Sequence, residues 1–147
     1  MPILPSNSDF MQRALTEGRR ALPACRPNPP VGCVLVRGHE VISLGHTQPP
    51  GQPHAEAMAL AGLSGSAEGV TAYVTLEPCS FHGRTPSCAQ ALVERGVTRV
   101  FVGMLDPDPR NAGAGVRMLR QAGVEVIVGL LAEDVSRDLR TYLLEEV

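Results

Sequence analysis

Apolar and polar positions alternate with two different periods along the chain. From Asp9 to Leu22 the apolar residues Phe10, Met11, Ala14 and Leu15 recur at helical spacing, which predicts an amphipathic helix capped by Ser8 and stopped by Pro23. Arg26 to Pro30 is a proline-rich loop. The apolar runs Val31 to Val36 and Glu40 to Leu44 flank Arg37-Gly38-His39, the pattern of a β-hairpin. Gln48 to Pro53 is rich in structure breakers, and His54 to Leu63 then has the Ala, Met and Leu content of a helix.

The second half continues the alternation. Val70 to Leu76 is a β-branched run expected to be a buried strand, Pro78 to Pro86 is turn material, Ser87 to Arg95 is a short helix and Val100 to Met104 a fourth strand. A loop from Asp106 to Gly115 leads into a helix through Ala122, a strand at Val124 to Val128 and a last helix from Ala132 to Leu144. No internal repeat or low-complexity segment is visible. Helices interleaved with strands predict a layered α/β sheet, antiparallel at its opening hairpin and parallel at its later crossovers.

Composition narrows the class. A chain of 147 residues is of ordinary single-domain size and buries roughly 70% of its unfolded surface, so residues 1–147 are expected to form one domain. The hydrophobic fraction of 44% and charged fraction of 19% fit a soluble globular protein with an aliphatic core, because aromatic residues make up only 3%. The formal net charge is -2, all 13 basic residues are arginine, and no basic run tracks a phosphodiester backbone, so nucleic acid is not an expected partner. No apolar stretch approaches the roughly 20 residues of a membrane span, and Met1 to Asp9 lacks the regions of a signal peptide. A cytoplasmic protein without membrane partners is expected. In that compartment the four cysteines read as thiols or metal ligands rather than as a disulfide framework.

The candidate chemistry lies at three junctions. Pro53-His54-Ala55-Glu56 opens a predicted helix, Glu77-Pro78-Cys79 follows a predicted strand, and Cys88 enters the next helix. Imidazole nitrogen and thiolate sulfur suit Zn2+, one ion per chain, and three protein ligands from His54, Cys79 and Cys88 leave a fourth position open, as catalytic rather than structural sites do. Glu56, two residues after the first ligand, is placed to move protons without binding the metal. Singly, each piece has a plainer explanation: His-Ala-Glu occurs on many helix surfaces, and a cysteine after a strand is often a small buried hydrophobe. In this order, joined by a helix and then a strand, they match the zinc nucleobase deaminase signature of His-x-Glu followed by Pro-Cys and a second cysteine. Cys25 and Cys33 compete as ligands, but Cys33 alternates within an apolar strand and Cys25 has no metal-binding neighbour beside it.

Eight residues separate Cys79 from Cys88, where the common signature has two. With Asn28-Pro29-Pro30-Val31-Gly32, Thr75-Leu76-Glu77-Pro78-Cys79-Ser80 and Gly83-Arg84-Thr85-Pro86, the chain resembles the deaminase domain of bacterial bifunctional riboflavin-biosynthesis deaminase-reductase proteins, from about Asp9 to Leu139. The resemblance implies a cytidine-deaminase-like three-layer α/β/α sandwich on a five-stranded mixed sheet. It implies hydrolytic release of ammonia from a diaminopyrimidinone ribosyl phosphate, and assembly as a homodimer or homotetramer. It also assigns substrate contacts: Asn28 by hydrogen bonding, Arg84 and Thr85 from a facing loop, and His46 and Asp106 at the pocket border.

Several positions depart from the family pattern. Phe81 stands where the family has histidine, with His82 beside it; the segment from His46 to Pro53 is one residue longer and has no lysine. The family's Asp-Pro-Asn-Pro is Asp106-Pro107-Asp108-Pro109 here, and its Ala-Gly-Lys/Arg-Gly is Ala112-Gly113-Ala114-Gly115. Cations that suit a phosphate are therefore lost and an acid is gained, with Arg110 as a partial replacement in the same loop. Val147 falls where the family continues into its reductase domain, which leaves a deaminase without that domain, one whose reductase is a separate polypeptide, or a truncated chain.

Four functions are compatible with these residues. The first is the riboflavin-pathway deaminase. The second keeps the zinc chemistry but takes another, unphosphorylated amino- or imino-heterocycle, a reading motivated by Phe81, Asp108 and Ala114. The third is a non-catalytic zinc-stabilised partner module, against which Glu56 argues. The fourth is a nucleic-acid editing deaminase, disfavoured by charge and by the few aromatic residues.

Overall fold

The computed structural model describes residues 5–80 and 87–144. In chain order the elements are α1 (Pro5–Arg19), β1 (Gly32–Arg37), β2 (Glu40–His46), α2 (Ala55–Ala61), β3 (Val70–Leu76), α3 (Cys88–Arg95), β4 (Arg99–Met104), α4 (Ala114–Gln121), β5 (Glu125–Val128) and α5 (Ala132–Leu144). The strands form one five-stranded sheet in the order β2-β1-β3-β4-β5. β1 is antiparallel to both β2 and β3, whereas β3, β4 and β5 run parallel. The expected mixed sheet is therefore observed. The hairpin closes through Gly38-His39, with Gly38 at φ 65°, which lets strands of opposite direction turn over two residues.

Side-chain alternation explains the three layers. Cys33 and Leu35 of β1, Ala72 and Val74 of β3, and Val100 and Val102 of β4 share a buried cluster with Ala55 and Ala59 of α2 and Leu92 of α3. The intervening residues Val34, Val36, Tyr73 and Phe101 join Met11 and Ala14 of α1 in a second cluster. A period of two thus buries both faces of the central strands, one under α2, α3 and α4 and the other under α1 and α5. Tyr73 and Phe101, opposite one another on the parallel pair, stack with ring centroids 4.8 Å apart. Among the described residues no helix is long and apolar enough to cross a membrane.

The first helix departs most from expectation. It begins at Pro5 rather than Asp9, so Ser8 lies inside it rather than capping it. Proline suits a first helical turn, whose N–H groups have no intrahelical acceptor. The helix also stops at Arg19, before Pro23 is reached, because the chain tightens into successive three-residue turns: Arg20 N–H donates to Glu17 O, Ala21 to Gly18 and Leu22 to Arg19. Elsewhere the expected elements recur with ends moved by one to two residues, as at α2, which closes at Gly62.

The strand ends place the site. Leu76 and Met104 pair at the carboxyl ends of the parallel strands β3 and β4, next to the antiparallel β1. Ligand crevices in open α/β sheets lie outside such ends, where the strand order reverses direction. The amino ends of α2, α3 and α4 gather around it.

Candidate active site

His54 is the N-cap residue of α2, and its side chain makes no capping hydrogen bond. The imidazole is directed instead to the two cysteines: Nδ1 lies 3.3 Å from Cys88 Sγ and 3.9 Å from Cys79 Sγ. Cys79 follows the end of β3, and Cys88 is the first residue of α3, whose N-cap Ser87 accepts the N–H of Gln90 at 3.1 Å. The helix thus points its amino end at Cys79, with the Cys88 N–H 3.3 Å from Cys79 Sγ. The donor atoms of His54, Cys79 and Cys88 all lie within 4.8 Å of one another.

The donors suit a tetrahedral ion. Zinc bonds of about 2.3 Å to sulfur and about 2.0 Å to nitrogen place neighbouring donors roughly 3.5 Å apart, between the two observed nitrogen to sulfur distances. Electrostatics agree. The Cys79 thiol is lowered to about 4, first by the hydrogen bond from Cys88 and further by that from His54. Cys88 is raised because its side chain keeps the proton that Cys79 gives up. With a dication bound, His54, Cys79 and Cys88 would hold it in place of that shared proton, both sulfurs as thiolates.

Glu56 lies in the first turn of α2 and is 5% exposed. Burial is the main cause that raises its carboxyl to about 7, the neighbouring Cys79 adding to it. A carboxyl at that value gains and loses a proton near neutral pH, as an acid and base in one reaction must. Cys33, buried on the same face of the sheet, is pushed well up by burial and by Glu56, and so remains a thiol. Cys25 donates its thiol to Asn28 O at 3.3 Å. Neither belongs to the donor trio.

A cleft of about 210 Å³ opens beside the trio. His54, Glu56 and Cys79 form its chemical end, Asn28, Pro29 and Thr47 one wall, and Asp106, Asp108 and Arg110 another. Asn28 therefore reaches the cleft from the proline-rich loop before β1, and the two aspartates from the loop after β4. Burial raises Asp106 above the ordinary carboxylate range. Asp108 is lowered by Arg110, whose guanidinium meets it at 2.7 Å. His46 is placed otherwise: its Nδ1 lies 2.7 Å from the buried Glu17 carboxylate, and it is its neighbour Thr47 that lines the cleft. Phe81, His82, Arg84 and Thr85 lie outside the described residues.

Two further side chains shape the site, and no sequence motif assigns either of them a role. Glu77 is buried yet lines the cleft with Cys79, and Asn111 bridges the metal-side loop, accepting the Ser80 N–H at 3.1 Å and donating to Pro78 O at 3.2 Å. The available signal was an acid placed between an apolar strand and Pro-Cys, a position that has to be buried.

Residues 5–104 match the family profile of the cytidine and deoxycytidylate deaminase zinc-binding region. The chain is 48% identical over 138 residues to riboflavin biosynthesis protein RibD of Actinobacillus pleuropneumoniae, covering 89% of this chain and 37% of that protein. It is also 48% identical over 134 residues to RibD of Escherichia coli, covering 91% of this chain and 36% of that protein. The chain thus spans little more than a third of these relatives. Among solved structures it superposes, with a TM-score of 0.89 and 38% identity, on a diaminohydroxyphosphoribosylaminopyrimidine deaminase/5-amino-6-(5-phosphoribosylamino)uracil reductase from Thermotoga maritima, covering 96% of this chain and 42% of that one.

Proposed function

The chain belongs to the cytidine and deoxycytidylate deaminase zinc-binding family, and from that premise we propose that it is a hydrolytic deaminase acting on a diaminopyrimidinone ribosyl phosphate, the reaction named for the Thermotoga maritima relative. The observation that carries this reading is a buried Glu56, raised to about 7, beside a convergent His54, Cys79 and Cys88 at the end of a small cleft.

His54, Cys79 and Cys88 are the proposed zinc ligands, one ion per chain. Bound zinc supplies Lewis acidity that makes water nucleophilic near neutral pH. Glu56 accepts a proton as water adds to the amidine carbon of the ring, and delivers it to the ring nitrogen under attack. It then takes the remaining proton from the new hydroxyl and passes it to the amine, so that the C–N bond breaks, ammonia leaves and the carbon is left as a carbonyl. Burial of Glu56 keeps both protonation states within reach during one turnover. Asn28 and Asp106, both in the cleft lining, hold the ring and sugar, and the exposed Arg110 meets the phosphate.

One observation favours a second reading, with an unphosphorylated heterocycle as substrate: Arg110 already engages Asp108 with two nitrogens, at 3.2 and 2.7 Å. Ammonia release by zinc-loaded protein, with Glu56→Ala as control, separates the two. Release from the ribosyl phosphate supports the first reading; release only from a non-phosphorylated aminopyrimidine supports the second. A homo-oligomer is proposed as the working form, supported by exposed Leu105 and Val128 at neighbouring strand ends. A light-scattering mass of 15.6 kDa would count against it.

A further inference from the structure

We infer that Glu77 is a positioning residue whose carboxylate fixes the loop carrying Asp106, Asp108 and Arg110 relative to Cys79. The kinetic part of this inference rests on the reaction proposed above. Glu77 closes the gap between two regions of the cleft. It sits two residues before Cys79 and is 3% exposed. Oε1 accepts the N–H groups of Asp106 and Gly113, each at 3.0 Å, and Oε2 accepts that of Val116 at 3.0 Å. One carboxylate therefore holds both ends of the loop between β4 and α4.

This arrangement does the work of a helix cap from outside the helix. α4 begins after Gly113, which has no side chain to satisfy the amino-terminal N–H groups. Glu77 reaches across from β3 to accept from the N-cap position and from the third helical residue, with its negative charge at the positive end of the helix. Gly115 leaves the room it needs: a β-carbon there would collide with Pro78 O and meet Glu77 Cγ at 3.3 Å. Asn111 supplies a second strut to Pro78 and Ser80 on either side of Cys79. With three N–H groups on its two oxygens, Glu77 is committed as an acceptor, and the role of proton carrier falls to Glu56.

Glu77→Gln tests the assignment with almost no change of shape. The new amide nitrogen has to face either the Val116 N–H or the N–H groups of Asp106 and Gly113, donor against donor. In the zinc-loaded protein the expected result is unchanged zinc content, faster amide exchange at Asp106, Gly113 and Val116, a KM raised about tenfold and a kcat changed by less than about threefold. Asn111→Ala removes the other strut and is expected to give the same KM-weighted loss, so it carries the test if Glu77→Gln does not fold. Equal loss of kcat and zinc would overturn the inference by making Glu77 a support of the metal centre. So would wild-type KM with the amides deprotected. If the unaltered protein releases no ammonia, the proposed reaction fails by itself, and unchanged protection of the three amides in Glu77→Gln would still overturn the positioning role.

Discussion

The Nδ1 atom of His54 lies 3.3 Å from Sγ of Cys88, a residue 34 positions away that belongs to a different helix. Nothing but the packing of α2 and α3 on one face of the sheet brings the two together. The predicted consequence is one zinc per chain by elemental analysis, with Cys88→Ser or Cys79→Ser weakening retention by at least about tenfold. Chelation is expected to lower Tm, because an ion bound only to the native state stabilises it by mass action. It should leave the far-ultraviolet spectrum folded, since the core clusters that hold Phe101, Leu92 and Leu119 include none of the three donor residues. Complete unfolding on chelation would make the site structural.

Glu56 is outside the donor trio yet buried beside it. Glu56→Gln keeps the shape and a hydrogen-bonding oxygen but carries no exchangeable acid. Ammonia release is expected to fall by about a thousandfold, within the range for a lost general acid and base, while zinc stays bound. Activity above about a tenth of wild type would mean that another group moves the protons.

Arg110 and Asp108 form an ion pair at the cleft rim, with the arginine side chain 71% exposed. An arriving phosphate competes with Asp108 for the same guanidinium. Arg110→Ala should therefore raise KM for the ribosyl phosphate by roughly fivefold to tenfold, the low end of a charge-assisted hydrogen bond. It should leave the dephosphorylated substrate nearly unaffected. Equal effects on both substrates would assign Arg110 to loop structure instead.

Much of this was legible in the sequence, for identifiable reasons. Strands β1, β3 and β4 are dense in branched residues because both of their faces are buried, and the metal trio lies at element junctions where polar residues interrupt apolar runs. The parts that were not legible depend on distance in the fold. Proline at 23 suggested a stop for α1, but the chain turns earlier, and the true start at Pro5 lies before any apolar periodicity. The resemblance assigns His46 to the cleft border; in the fold its ring meets Glu17, 29 positions away on α1, a contact that no local pattern announces. Glu77 shows in the sequence only as an acid between an apolar run and Pro-Cys, and its backbone partners, like those of Asn111, lie 29 to 39 positions away.

A last prediction follows from how closely β2 supports α2. Gly45 has no room for a β-carbon, which would collide with Ala55 O and lie 2.6 Å from Ala59 N. Those backbone atoms belong to α2, which follows its N-cap His54 and carries Glu56. In Gly45→Ala the helix has to move away from the strand, because its backbone cannot change rotamer as a side chain can. The displacement is transmitted to His54, whose distances to the two sulfurs set the zinc geometry. Overpacking of this kind costs about 1–3 kcal/mol, and here both stability and zinc retention should fall. Gly38→Ala is the control: Gly38 meets nothing within 4 Å, so its positive φ costs stability at the hairpin turn without touching the site. Zinc content lowered in Gly45→Ala but normal in Gly38→Ala would tie the metal centre to the β2 and α2 contact. Equal zinc content in both would show that α2 can shift without disturbing His54.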